Sequence, residues 1–176
     1  MKKVVILLVV SFSTILCFCQ KLERNEVDEF TGHKVKETSW EVFASHTPLD
    51  LSKTFGGQFR ICRVNDSYFF DLRLSLSPVF SVDKGQVLMF KLDNNDVVQF
   101  PCTEYKISKK GGGVSGVKWS GTEGLYVTYI IDKEQLDLIK DYKSVKVRVY
   151  TSKGYAECDI KDSDAQKIIK ALKLVE

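Results

Sequence analysis

Histidine is nearly absent: His33 and His46 are the only two in 176 residues. A zinc-type centre needs three or four ligands at suitable spacing, and neither H-x-H nor H-x-x-x-H occurs. Beyond the first twenty residues the cysteines do not make up the deficit. Cys62, Cys102 and Cys158 stand about forty residues or more apart, which excludes close C-x-x-C ligand pairs. A charge excess is also missing. The chain carries 26 basic and 23 acidic residues, interspersed rather than blocked. Domains that bind nucleic acid concentrate basic charge on one face, so no nucleic-acid partner is expected. No G-x-S-x-G elbow is present, and no βαβ unit is in place to hold a dinucleotide. The expectation is therefore no metal, no cofactor and no catalytic set of familiar form.

The first twenty residues, "MKKVVILLVVSFSTILCFCQ", do have a character. Lys2 and Lys3 precede an apolar run from Val4 to Val10 that Ser11, Ser13 and Thr14 interrupt. The run is too short and too broken for a permanent span, and it has the form of a cleavable export signal. Small residues at Cys17 and Cys19 place the cut between Cys19 and Gln20. Acylation at Cys17 or Cys19 is the alternative, with Leu16 and Phe18 standing where lipoprotein processing wants a small residue. Residues 1–19 are thus read as a signal peptide, 20–35 as an N-terminal leader segment, and 36–176 as one β-rich domain. Lys2 and Lys3 leave with the signal, so 24 basic residues face 23 acidic ones. The destination is the periplasm or the cell surface, with no integral membrane span after signal removal.

What the chain has in quantity is alternation of period two. In "SYFFDLRLSLS", Tyr68, Phe70, Leu72, Leu74 and Leu76 alternate with Phe69, Asp71, Arg73, Ser75 and Ser77, giving one greasy face and one mostly wet one. "QFRICRV" precedes it, with Asn65-Asp66-Ser67 as the turn. "QVLMFKL" and "VVQF" flank "DNND", and Pro101 marks an edge or bend. "VKVRVY" and "YAECDI" flank "TSKG", where Gly154 supplies a positive φ. "LYVTYII" reads as a buried strand, and Lys36–Phe43 as a first strand. Two amphipathic segments interrupt this pattern. "KEQLDLIKDY" has Asp132 as N-cap and Gln135 at the capping-box position. The last segment puts Ala165, Ile168, Ile169 and Leu172 on one stripe, capped by Asp162 or Ser163, across an open sheet face. The expected fold is mainly β: an antiparallel, sandwich-like domain of about eight strands with one short helix and a C-terminal amphipathic helix.

Gly111, Gly113 and Gly116 satisfy G-x-G-x-x-G, but the strand "LYVTYII" follows instead of a helix, so no amide N-terminus is there to receive a phosphate. Walker spacing fails by one residue, because Val117 separates Gly116 from Lys118. The stretch reads as a basic connection between strands. As the longest glycine-rich loop it is the candidate partner contact, through Lys109, Lys110, Gly113, Lys118 and Trp119. Among the thiols, Cys102 and Cys158 share parity with core residues, and one disulfide plus a spare thiol is an alternative to three free ones. Cys62 shares parity with Arg60 and Val64 and is the least implausible nucleophile. Trp40, Trp119 and the tyrosines offer a sugar-stacking face, although most lie within strand patterns that read as core.

The tail from Ser144 to Val175, together with "YFFDLRLSL", "VLMFKLDNNDVVQF" and the glycine loop before "VTYIIDKEQL", resembles small exported proteins of gut anaerobes with a Gram-negative envelope. The resemblance covers about residues 59–176. It implies export and a β-rich fold, and it implies no activity, cofactor or functional residue. The functional expectation is an exported, non-catalytic binding or interaction module whose partner is an envelope protein or a glycan. A small enzyme with a reactive thiol and a structural lipoprotein are the alternatives.

Overall fold

The alternating runs pair as hairpins wherever two short turn residues separate them. The computed structural model describes residues 20–46, 55–76, 79–110, 112 and 123–176. Among these, β1 (Leu22–Val27), β2 (Lys34–Thr38), β3 (Glu41–His46), β4 (Phe55–Val64), β5 (Ser67–Leu76), β10 (Lys109–Lys110) and β11 (Glu123–Ile131) form a seven-stranded antiparallel sheet. Its order is β1-β2-β4-β5-β11-β10, with β3 also paired to β4. A second sheet, ordered β13-β12-β7-β8, contains β7 (Val87–Leu92), β8 (Val97–Pro101), β12 (Ser144–Thr151) and β13 (Gly154–Asp159). A short pair joins β6 (Ser81–Val82) to β9 (Lys106–Ile107). The helices are α1 (Lys133–Asp141) and α2 (Asp162–Val175). The architecture is the expected antiparallel sandwich-like one, with thirteen described strands instead of about eight. Three two-residue strands, β6, β9 and β10, which are too short to show a period, account for most of the difference; β1 and the division of the segment 36–43 supply the rest.

The turns are chemically apt. Asn65 (φ +53), Asn95 (φ +72) and Gly154 (φ +97) take left-handed conformations that asparagine and glycine tolerate. Five phenylalanines then join the sheets. Phe70 on β5 lies 5.3 Å from Phe59, 5.8 Å from Phe43, 5.3 Å from Phe90 and 6.1 Å from Phe100 between ring centres. The first two of these rings come from the larger sheet and the last two from the smaller.

Several local expectations change. The segment 36–43 is two strands, because the chain breaks at Ser39 and Trp40. β2 and β3 lie in succession along the same edge of β4, and Thr38 Oγ1 accepts from the Ile61 N–H at 3.0 Å across the break. Residues 20–35, set apart by sequence as a leader, carry β1 and the start of β2. Asp132 Oδ1 does cap α1, accepting from Gln135 N at 2.8 Å. The Gln135 side chain does not complete a capping box; its Oε1 accepts from Gln99 N at 3.2 Å and covers the edge of β8. α2 begins at Asp162, so the cap position falls on Lys161, which makes no side-chain bond. Asp162 and Asp164 instead place negative charge in the first turn, where the helix dipole favours it. The buried stripe of α2 is Ala165, Ile168, Ala171, Leu172 and Val175, with Ile169 only half-buried. The helix packs on β2, β3 and β4 and against α1.

Candidate functional site

The outer face of the larger sheet, read by sequence as mostly wet, is covered by a fixed cluster of charged and aromatic side chains. Antiparallel register sets Arg60 opposite Asp71 and Asp71 opposite Thr128; one step along, Gln58 faces Arg73 and Arg73 faces Tyr126. Arg60 Nε donates to Asp71 Oδ2 at 2.8 Å, and its Nη1 donates to Glu37 Oε2 at 2.7 Å. The Thr128 hydroxyl donates to Asp71 Oδ1 at 2.7 Å. Asp71 is only 3% exposed, so both oxygens of a buried carboxylate are satisfied. Burial works against the charge on Arg60, but hydrogen bonding and attraction to Asp71, then attraction to Glu37, outweigh it and push its pKa above the ordinary value.

Trp40, placed by the break between β2 and β3, folds over this pair. The Arg73 guanidinium lies 4.0 Å from the centre of its ring and that of Arg60 5.1 Å. Tyr126 meets the indole edge-to-face at 5.8 Å and 73° while remaining 38% exposed. The strand of "LYVTYII" is thus buried on one face only: Leu125, Val127, Tyr129 and Ile131 point inward, and Tyr126 and Ile130 face out.

The predicted contact loop leaves the same sheet. Lys109 and Lys110 are exposed on β10, paired with Gly124 and Glu123. Gly113, Lys118 and Trp119 lie outside the described residues. Gly112, within the same run, has a reason to be glycine: a Cβ there would stand 2.5 Å from the Gly124 carbonyl oxygen. Arg60, Asp71, Glu37 and Thr128 were missed as a group. Their only sequence signal is Arg60 on β4 and Asp71 on β5, each at a polar position of an alternating strand.

Cys62 sits beside this cluster, on the row with Glu37 and Phe69, and is buried at 8% exposure, against the expectation of a less covered thiol. Burial first, then the neighbouring carboxylates of Glu37 and Asp71, push its pKa up to about 12. Cys62, Cys102 and Cys158 are all free and buried, and burial raises the latter two as well. Cys62 is therefore expected to hold about a thousandfold less thiolate at neutral pH than a free cysteine. Native alkylation should run at least about a hundredfold slower than in urea. The same shift has a stability consequence. A thiol whose folded pKa lies above its unfolded value of 9.0 stabilises the fold fully below that pH, and the contribution is lost between 9.0 and about 12. The urea midpoint should fall progressively above pH 9, with a shallower slope in Cys62→Ala.

Among the described residues no group of three or more metal-ligating side chains occurs, and no helix is long and apolar enough to cross a membrane. No protein-family model, curated protein or solved structure matches this chain. The fold and the outer face define a class all the same: an antiparallel sandwich-like domain with a preorganised cation–aromatic face.

Proposed function

We propose that this chain is an exported, non-catalytic binding module of the cell envelope that takes a protein partner on the outer face of its larger sheet. The observation that carries the reading is the ordered cluster of Trp40, Arg73 and Tyr126 over the Arg60–Asp71 pair. Tryptophan, tyrosine and arginine are the residue types that dominate interface energetics, and here they are held in place before any partner arrives. A protein surface suits the face better than a glycan does, since Arg73 already lies over the indole ring on which a sugar would stack. Lys109, on the row of Gly124 and Ser75, extends the face to the β10 edge. Export rests on the leader of residues 1–19, which lie outside the described residues. The non-catalytic part draws on the buried, protonated thiols.

A photocrosslinker placed at Tyr126 tests the reading in cells, with Lys173 on the exposed side of α2 as the control site. The expected result is one envelope protein captured from position 126, lost on Arg73→Glu, and not captured from 173. Equal capture from both sites counts against this face. Binding of purified envelope polysaccharide that disappears in Tyr126→Ala assigns the face to a glycan instead.

A further inference from the structure

The hairpin between β1 and β2 presents a phenylalanine on a rigid tip. Asp28 Oδ1 accepts from the Phe30 N–H at 3.1 Å, the Thr31 N–H at 2.8 Å and the Thr31 hydroxyl at 2.9 Å. The backbone closes the turn through Gly32 N to Asp28 O and Asp28 N to His33 O, both at 2.8 Å, with Gly32 at φ +72. The next turn ties it down again, since Asn65 Oδ1 accepts from Lys34 N at 3.0 Å. Phe30 is nonetheless 98% exposed. The turn is specified by Asp28, Thr31 and Gly32, so nothing in the fold requires an aromatic residue there. A large apolar side chain on a preorganised tip has the form of an anchor that fills a pocket elsewhere. Asp28 and Glu29 stand immediately before it, so the matching pocket should be apolar inside and basic at its rim.

The outer face of the smaller sheet holds such a pocket. Met89 and Val97 form its apolar wall, and Lys91, Lys146 and Arg148 surround it. It is a half-open depression of about 150 Å³ on the sheet surface, roomy enough for one aromatic ring. Glu157 is the one acid in its lining and is shared by Lys146 at 3.2 Å and Arg148 at 2.8 Å, while Asp159 just outside it pairs with Lys146 at 3.4 Å. Lys91 has no ion pair among the described residues, and the rim keeps an excess of positive charge. This face points away from the larger sheet, whose edge carries the hairpin, and Phe30 lies free of it within its own chain.

We propose that Phe30 of one copy inserts into the Met89–Val97 pocket of a second copy, with Asp28 and Glu29 set against Lys91 and Lys146. The contact joins two different surfaces, so it is head-to-tail and adds copies in a row unless a rotation closes the ring. Its charges make it weaken as salt rises.

Sedimentation velocity on the purified protein over a range of concentrations tests this. The wild type is expected to associate, more weakly at high salt. Phe30→Ser should weaken association at least about tenfold. Val97→Glu, whose carboxylate can reach Lys91 and Lys146 and close the pocket, should do the same. Both positions are exposed, so each variant should keep the wild-type circular dichroism and thermal midpoint. Mixing the two variants supplies the decisive result: a pocket from Phe30→Ser and a plug from Val97→Glu should give a 1:1 dimer that grows no further. A wild type that stays monomeric up to millimolar concentration, association unchanged in both variants, or a mixture that fails to dimerise would each overturn the proposal.

Discussion

Phe70→Ala is expected to destabilise the protein by about 3–5 kcal/mol, more than any other single truncation in the core. Phe70 is fully buried and its ring lies within 6.1 Å of four others, Phe43, Phe59, Phe90 and Phe100. Two of those rings belong to each sheet, so the cavity left by alanine opens between the layers and neither sheet can collapse into it alone. Gly57 shows how little slack there is, since a Cβ on it would stand 2.8 Å from the Phe43 ring. Urea denaturation monitored by circular dichroism measures the loss. An unchanged slope with a lower midpoint is expected, and a cost below about 1.5 kcal/mol would mean that the two sheets repack independently.

The second large effect concerns the outer face. Arg60→Met removes the cation from a carboxylate that is 3% exposed and leaves Asp71 with neutral partners, the Thr128 hydroxyl and the neighbouring Tyr126 phenol. Breaking one side of a buried pair costs about 3–5 kcal/mol, and the one-fifth exposure of the Arg60 side chain softens this to about 2–3 kcal/mol. Asp71→Leu in the same chain should recover at least about 1 kcal/mol, because the most deeply buried charge is then gone and Glu37 keeps Arg24 at 3.8 Å. A double-mutant cycle in urea reads both numbers. If Arg60→Met lies within about 0.5 kcal/mol of wild type, the cluster is a solvated surface and the preorganisation on which the binding proposal stands is absent.

Much of the architecture was legible because period two is a local property. The inward set Phe70, Leu72, Leu74 and Leu76, the turn at Asn65-Asp66, the Asp132 cap and the positive φ of Gly154 each follow from a few neighbouring residues. Elements of two or three residues, such as β6, β9 and β10, carry no such signal. The break at Ser39 and Trp40 was hidden for another reason: no glycine or proline falls within Lys36–Phe43, and what divides it is which part of β4 each half meets. Gln135 shows the same limit. Its spacing from Asp132 suits a capping box, but the edge of β8 offers its side chain a backbone N–H that needs a partner.

The candidate site lies almost entirely beyond that limit. Glycine and lysine drew attention to residues 109–119 because a loop with unusual composition is visible in one dimension. Asp71 and Arg73 were equally visible and read as a solvent-facing stripe, since parity says which face a side chain takes and not what else stands there. By itself the sequence determined a β-rich antiparallel domain and its inward-facing apolar set, both consequences of composition and short-range periodicity. Only the tertiary structure decided that Glu37, Arg60, Asp71, Thr128 and Trp40 meet. Strand order and register bring together residues from four strands and one break, and these are settled by the packing of the whole chain.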